Sequence, residues 1–361
     1  MKHPKVSLLL LNWNGFSYTK RCIKSLLNTN YPNYEIIVLD NGSRENEAGK
    51  ISQIFEGKVK IIQNKTNAGY AAGMNIAFKH SSGDFIMVLN NDMEFNPNWL
   101  TPLVHTLTKN KDVALCQPKV KDMKNKKYFE YAAAAGGFID IFGYPFARGR
   151  IFSNVEKDEK QYDSIIPVAW AGVFLARRKV IEKIGFFDEM YFTYAEDVDF
   201  CWRVYGSGYK IVFVPDSVVY HYGGGVIGKS PNKKMFYIHR NHLILVIKNW
   251  PTKILFAIIM PRILMDVLSF FYYALNGYPS YSWTIIKAYV SLICLLPHIM
   301  KQRASIKERV KMRAVHAMPI LYGSLVWEYF IRKRKKFSLL YEHAVKDAYF
   351  TRFQNQDISY K

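Results

Sequence analysis

A few acidic side chains and one histidine carry the first chemical clues. Glu196, Asp197 and Asp199 fall within four residues, at what reads as the start of a helix. Acids there favour the helix macrodipole, which is a structural use of them. Glu196 and Asp197 also follow an aromatic run, where partial burial would raise a carboxylate pKa toward general-base duty. Asp199 and Arg203 are spaced i,i+4 and can pair. Asp92 closes the triplet Asn90-Asn91-Asp92, just past the apolar run 85–89. A hard cation such as Mg²⁺ or Mn²⁺ is held by one or two carboxylates plus substrate phosphates, a task that suits Asp92. Asn90 would add at most a neutral oxygen, and Asp92 could instead cap a following helix. His221 ends the run 217–220 and precedes Gly223-Gly224-Gly225, so it is a metal or phosphate candidate as well as an ordinary packing histidine.

Further polar residues stand at the ends of β-like runs. Asn12 follows the run 6–11, Asp40-Asn41-Gly42-Ser43 the run 35–39, and Asn64 the run 59–63. Helix-compatible stretches at about 18–28, 46–55 and 71–79 alternate with these runs, which implies a doubly wound α/β sheet. A fifth run, 113–117, follows a helix that Asn96-Pro97 could start. In open α/β sheets ligands bind at the carboxyl ends of the strands, so four polar ends in register argue for a site. No GxGxxG or GxxxxGK[ST] occurs, which disfavours dinucleotide and P-loop chemistry. Asp40 could accept from a base edge, although Asp-Asn-Gly-Ser is also good turn chemistry. The stretch 67–75, with Asn67, Gly69 and Gly73, opens a helix with small residues and is expected to leave amides free for an anion. The run 168–175 reads as another strand, and Trp170 within it joins the candidate sugar-nucleotide contacts. Arg240-Asn241 lies downstream with no assigned task.

Asn12-Trp13-Asn14-Gly15, Asp40 to Ser43, Asn67 to Asn75, Leu89 to Asp92, Gly185 to Asp188, Glu196 to Arg203 and His221 together resemble family 2 glycosyltransferases, and among them the bacterial rhamnosyltransferase-like branch. The resemblance covers about residues 5–245. It implies a GT-A fold, a Rossmann-like doubly wound mixed sheet, and inverting transfer of a sugar from a dTDP- or UDP-linked donor. Asp40 and the backbone near Asn12 would hold the base or ribose, while Asn67 and Gly69 would line the nucleotide pocket. Asn90-Asn91-Asp92 replaces the family's DxD motif, with Asp92 the expected ligand of Mg²⁺ or Mn²⁺ and His221 a metal or diphosphate contact. Asp197 would be the general base, with Glu196 beside it. Asn at position 90 departs from the pattern and leaves more of the metal to the diphosphate. A catalytically inactive sugar-nucleotide-binding scaffold is the alternative.

The chain has 361 residues, with 50 Lys and Arg against 29 Asp and Glu. Residues 1–225 hold 28 basic and 23 acidic side chains, and residues 226–361 hold 22 and 6, so the excess belongs to the C-terminal third. That third is also rich in apolar runs, at 254–260, 263–275 and 283–296, interrupted by Pro261, Arg262, Asp266 and Lys287. Apolar helices beside basic clusters such as Arg332 to Lys336 suit an anionic membrane surface. The interruptions favour lying on the bilayer over crossing it. The near-neutral first 225 residues count against nucleic acid as the partner. Four dispersed cysteines and no export signal place the protein at the cytoplasmic face, in a reducing compartment. The expected division is a catalytic domain over 1–245, with 119–166 an acceptor-side insertion, and a helical, basic membrane region over 246–361. A lipid-linked glycan is the expected acceptor.

Overall fold

The structure is a computed structural model that describes residues 3–130, 132–223 and 230–340. From the N-terminus β1 (Val6–Asn12), α1 (Phe16–Leu26), β2 (Tyr34–Asn41), α2 (Glu47–Ile54), β3 (Lys60–Asn64), α3 (Tyr70–Lys79) and β4 (Phe85–Leu89) alternate strictly. Next come β5 (Met93–Phe95), α4 (Leu100–Lys109) and β6 (Val113–Asp122). Short strands β7 (Gly137–Asp140), β8 (Pro145–Ala147), β9 (Arg150–Ile151) and β10 (Asn154–Val155) form the insertion, and β11 (Ile166–Pro167) leads out of it. Then follow β12 (Phe174–Arg177), α5 (Arg178–Ile184), α6 (Glu196–Gly206) and β13 (Lys210–His221). The chain continues through α7 (Pro231–Asn249), α8 (Thr252–Leu275), α9 (Pro279–Ser305), α10 (Glu308–Ala317), β14 (Ile320–Leu321) and α11 (Phe337–Leu340).

The main sheet is mixed, in the order β11-β13-β6-β12-β4-β1-β2-β3, with β5 on β13. β1 pairs in parallel with β2 and β4, whereas β12 runs antiparallel between β4 and β6. Alternation along the central strands feeds two cores. Leu9, Ile37, Leu39, Ile86 and Val88 enter one, and Leu8, Leu10, Val38, Met87 and Leu89 the other. Strands buried on both faces must be apolar at nearly every position, so the first polar residue marks the end of each. The fold is the expected α/β mixed sheet followed by a largely helical region.

Several boundaries differ from the sequence reading. Asn96 does not cap a helix: it closes a turn through Trp99 N–H at 3.2 Å, and α4 starts only at Leu100. Asp92 caps no helix either, because β5 follows it. Of the run 168–175 only the last residues enter the ladder, since Ala169 N–H is already bound to Gly137 O at 2.7 Å in the insertion. Helix α7 passes straight through position 245. The C-terminal third also adds a strand to the insertion, β14 pairing in parallel with β7.

Pro261 and Pro297 lie inside α8 and α9 without ending them, so the apolar runs become two long helices packed on each other. Arg262 and Asp266, one turn apart, both face inward. Arg262 donates to Asp266 Oδ1 at 2.6 Å and to the Tyr144 hydroxyl, and Tyr289 donates to Asp266 Oδ2 at 2.8 Å. The outer face is left apolar, with Phe256 75% exposed, Leu275 84% and Ile293 65%. The two charges are therefore neutralised against protein and do not interrupt that face.

Candidate active site

Strand register builds the first part of the site. Asn12 lies beside Asp40, and Asn41 beside Asn64, at the carboxyl edge of the sheet. Asn12 is fully buried and spends its amide on organisation: Nδ2 donates to Asp40 Oδ1 and to Glu47 Oε2, both at 2.8 Å, while Oδ1 accepts from Thr19 at 2.7 Å. Ser43 also donates to Asp40 Oδ1. Asp40 Oδ2, equally buried, has no partner among the described residues. A buried carboxylate oxygen left without a donor is costly, and a ligand N–H would satisfy it.

The neighbouring loop corrects an expectation. The amides at the start of α3 are not free for an anion. Gly69 N–H donates to Asn67 Oδ1 at 2.8 Å, and Tyr70 and Ala71 N–H both donate to Phe192 O, at 2.6 and 3.2 Å. Asn67 Oδ1 also accepts from Asn41 Nδ2 at 3.0 Å, so its side chain shapes the loop. Gly69 has φ +87°, and a Cβ there would fall 2.6 Å from the Phe192 ring, so only glycine fits. The start of α3 is thus tied to the segment leading into the acids.

Beyond β4, Asp92 Oδ1 lies 3.0 Å from His221 Nε2, and Asn90 Nδ2 lies 3.3 Å from the same nitrogen. His221 stands at the end of β13, which pairs with β5, so two distant stretches of chain meet here. Its Nδ1 lies 2.5 Å from Glu130 Oε2. Burial works against the charged imidazole, but hydrogen bonds to Asp92 and Glu130 more than offset it and push its pKa up to about 10. Asn91 turns instead to Thr19, at 2.9 Å, and joins the Asn12 network. Glu130 escaped sequence reading because its segment carries no motif; only the meeting of β13 with the insertion reveals it. Gly224 and Gly225, flagged beside His221, lie outside the described residues.

Glu196 and Asp197 open α6 as expected, and Asp199 pairs with Arg203 at 2.9 Å. Asp199 is wholly buried and also meets Lys248, Tyr191 and Asn249, so it belongs to the framework. The first two acids differ. Burial, then the charge of Asp197, raises Glu196 well above the usual carboxylate range, and its Oε2 has no partner among the described residues. Burial also raises Asp197, but the Val198 N–H at 2.8 Å opposes it, and the value reaches about 6. Each charge opposes ionisation of the other, so burial and proximity hold both acids above the usual carboxylate range, with Asp197 the easier of the two to ionise. Tyr70 lies between the two halves of the site: burial, then the charges of Glu196, Asp197 and Asp92, raise its phenol well above the usual value. Trp170 is largely buried; its indole N–H donates to Phe138 O at 2.7 Å, and Gly137 packs on its ring.

The mixed sheet gathers its polar residues at one carboxyl edge, which is where open α/β folds bind their ligands. Residues 7–185 match the family model Glycosyl transferase family 2, so the chain carries a family 2 glycosyltransferase domain. It is 24% identical over 226 residues to N-acetylglucosaminyl-diphospho-decaprenol L-rhamnosyltransferase of Mycobacterium tuberculosis, covering 58% of this chain and 73% of that one. It is 29% identical over 233 residues to the inactive polypeptide N-acetylgalactosaminyltransferase-like protein 5 of Macaca fascicularis, covering 60% and 51%. Three relatives are matched over only 28% to 59% of their own length. The fold is similar to that of GalNAc-T7, solved with UDP, GalNAc and Mn²⁺, at a TM-score of 0.54 and 18% identity over 70% of this chain and 49% of that one. With that likeness the GT-A fold is established.

Proposed function

We propose that the protein is an inverting glycosyltransferase. It moves rhamnose or another hexose from a dTDP- or UDP-linked donor to a hydroxyl of a lipid-linked glycan, in cell-surface polysaccharide synthesis. The observation that carries this reading is the placement of two adjacent acids, Glu196 and Asp197, at the start of α6, close enough to Tyr70 to act on its phenol together with Asp92. Asp197 accepts the proton of the acceptor hydroxyl as its oxygen attacks the anomeric carbon, opposite the departing diphosphate. The buried, unpaired Oδ2 of Asp40 suits the ring N–H of a pyrimidine base.

Asp92 and His221 would hold a divalent cation once it displaces the Nε2 proton that now bonds Asp92. Their donor atoms stand 3.0 Å apart, and neighbouring ligands of an octahedral ion at about 2.1 Å are separated by roughly 3 Å. Among the described residues no third His, Cys, Asp or Glu completes a cluster, so diphosphate oxygens and water would supply the remaining ligands. When bound, Mg²⁺ or Mn²⁺ neutralises charge growing on the leaving diphosphate. Glu130 turns the imidazole so that Nε2 faces Asp92, the arrangement that orients histidine ligands generally.

The exposed apolar outer face of α8 and α9 supports association with the cytoplasmic face of an anionic membrane, where a lipid-linked acceptor would reside. An apolar surface this continuous marks an interaction site. Both helices pack their other face on protein, which supports lying on the bilayer over crossing it. Release of one nucleoside diphosphate from a panel of UDP- and dTDP-sugars, lost in Asp197→Asn, tests the reading and names the donor. Asn90 and the relative named inactive favour a second reading, a binding scaffold; donor binding with no turnover across the panel would select it.

A further inference from the structure

Arg240 and Asn241 stand out in the sequence without a task in the site, and the surroundings of Asn241 are unusual. The segment that leads into Glu196 and Asp197 has backbone that L-residues rarely adopt. Phe192 has φ 62° and ψ −57°, Tyr194 φ 67° and Ala195 φ 70°. Thr193 N–H donates to Tyr191 O at 2.7 Å, which makes Phe192 the centre of a γ-turn of the strained hand. Such backbone persists only where its surroundings over-determine it.

Asn241, fully buried on α7, supplies much of that determination. Its Nδ2 lies 2.9, 2.7 and 2.7 Å from the carbonyls of Tyr191, Thr193 and Tyr194, which share its two N–H groups. Arg240 donates to Asn241 Oδ1 at 2.9 Å and so fixes which end of the amide faces the turn. Tyr237, one turn earlier, stacks on Phe192 with ring planes 9° apart. From the other side the Phe192 carbonyl accepts the two amides that open α3. The turn is therefore gripped between α7 and the donor edge, and it ends at Ala195, the N-cap of the helix whose first two residues are the acids.

We propose that Asn241 is a positioning residue for the catalytic base: by binding three carbonyls of the strained turn it sets where Asp197 points. This rests on the reading of Asp197 as the base. Asn241 touches neither donor nor acceptor in this scheme and acts through the backbone alone. Displacing a catalytic group by about 1 Å costs roughly 10²-fold in rate.

The test uses the full chain with the UDP- or dTDP-sugar that supports turnover. Asn241→Ala removes the donors, and Asn241→Asp keeps the shape but presents oxygen to three carbonyls. Both are expected to lower turnover about 10²-fold, with donor affinity within about threefold of wild type. Ala195→Gly removes the Cβ penalty of the left-handed region and should restore about fivefold to Asn241→Ala. Turnover near wild type in Asn241→Asp would overturn the proposal, as would equal losses of turnover and donor affinity. Loss of the folded state in both variants, unrelieved by Ala195→Gly, would assign Asn241 to stability and overturn it too. Asp197→Asn separates the layers: normal turnover there removes the base assignment itself, whereas an inactive Asp197→Asn beside a fully active Asn241→Asp removes only the clamp.

Discussion

The donor edge and the acid-bearing turn meet at Tyr70, but they are built by opposite means. At the donor edge each polar residue sits where a regular strand ends, and parallel pairing places Asn12 beside Asp40 and Asn41 beside Asn64. The strand ends themselves have ordinary extended backbone, and one side chain, Asn12, ties together Asp40, Glu47 and Thr19. The turn 191–195 is strained and takes its shape from residues about 50 positions away on α7. Register alone can place a binding group, whereas the proposed base follows a strained turn held by a brace.

If that contrast is functional, substitutions in the two regions should separate in kinetics. Asp197→Asn should lower turnover by about 10²- to 10⁴-fold while donor affinity, read by calorimetry, stays near wild type. Turnover within tenfold of wild type would break the comparison at its strongest point. Asp40→Ala should do the reverse, weakening donor binding by about 10- to 100-fold through loss of a charge-assisted hydrogen bond, with a smaller change in turnover at saturation. Glu130→Gln sharpens the donor-side half. It should weaken Mn²⁺ binding, measured by electron paramagnetic resonance with nucleoside diphosphate present, by about 10- to 100-fold. Unchanged Mn²⁺ affinity would mean that Glu130 does not orient a metal ligand.

The acidity of Asp197 gives a smaller effect with a definite sign. Its raised value near 6 means that the carboxyl is protonated, and unable to accept a proton, below that pH. Turnover should rise roughly tenfold per pH unit up to about 6 and level off above it. A profile flat between pH 5 and 7 would show that no carboxylate of this affinity limits the reaction. Weakest on catalysis should be charge introduced on the outer face of α8: Phe256→Asp with Leu275→Asp should abolish flotation with anionic vesicles yet leave hydrolysis of soluble donor near normal. Retained flotation would locate membrane contact elsewhere.

Much of this was legible in the chain. Apolar runs alternating with helical stretches made the sheet legible, because strands buried on both faces tolerate polar residues only near their ends, and Asn12, Asp40 and Asn90 marked those ends; Asn64 closes the half-exposed edge strand β3. The acids at 196 and 197 were legible by type and by the aromatic run before them. The sequence also showed Arg262 and Asp266, but not that one helical face turns both inward onto Tyr144 and Tyr289. Only tertiary structure decided that the α3 amides serve Phe192 and no anion, that Glu130 meets His221 across 91 residues, and that Asn241 holds the turn. The reason is physical. Register and burial are local consequences of side-chain alternation, whereas strained backbone and the partners of buried polar groups depend on which distant surfaces packing brings within 3 Å.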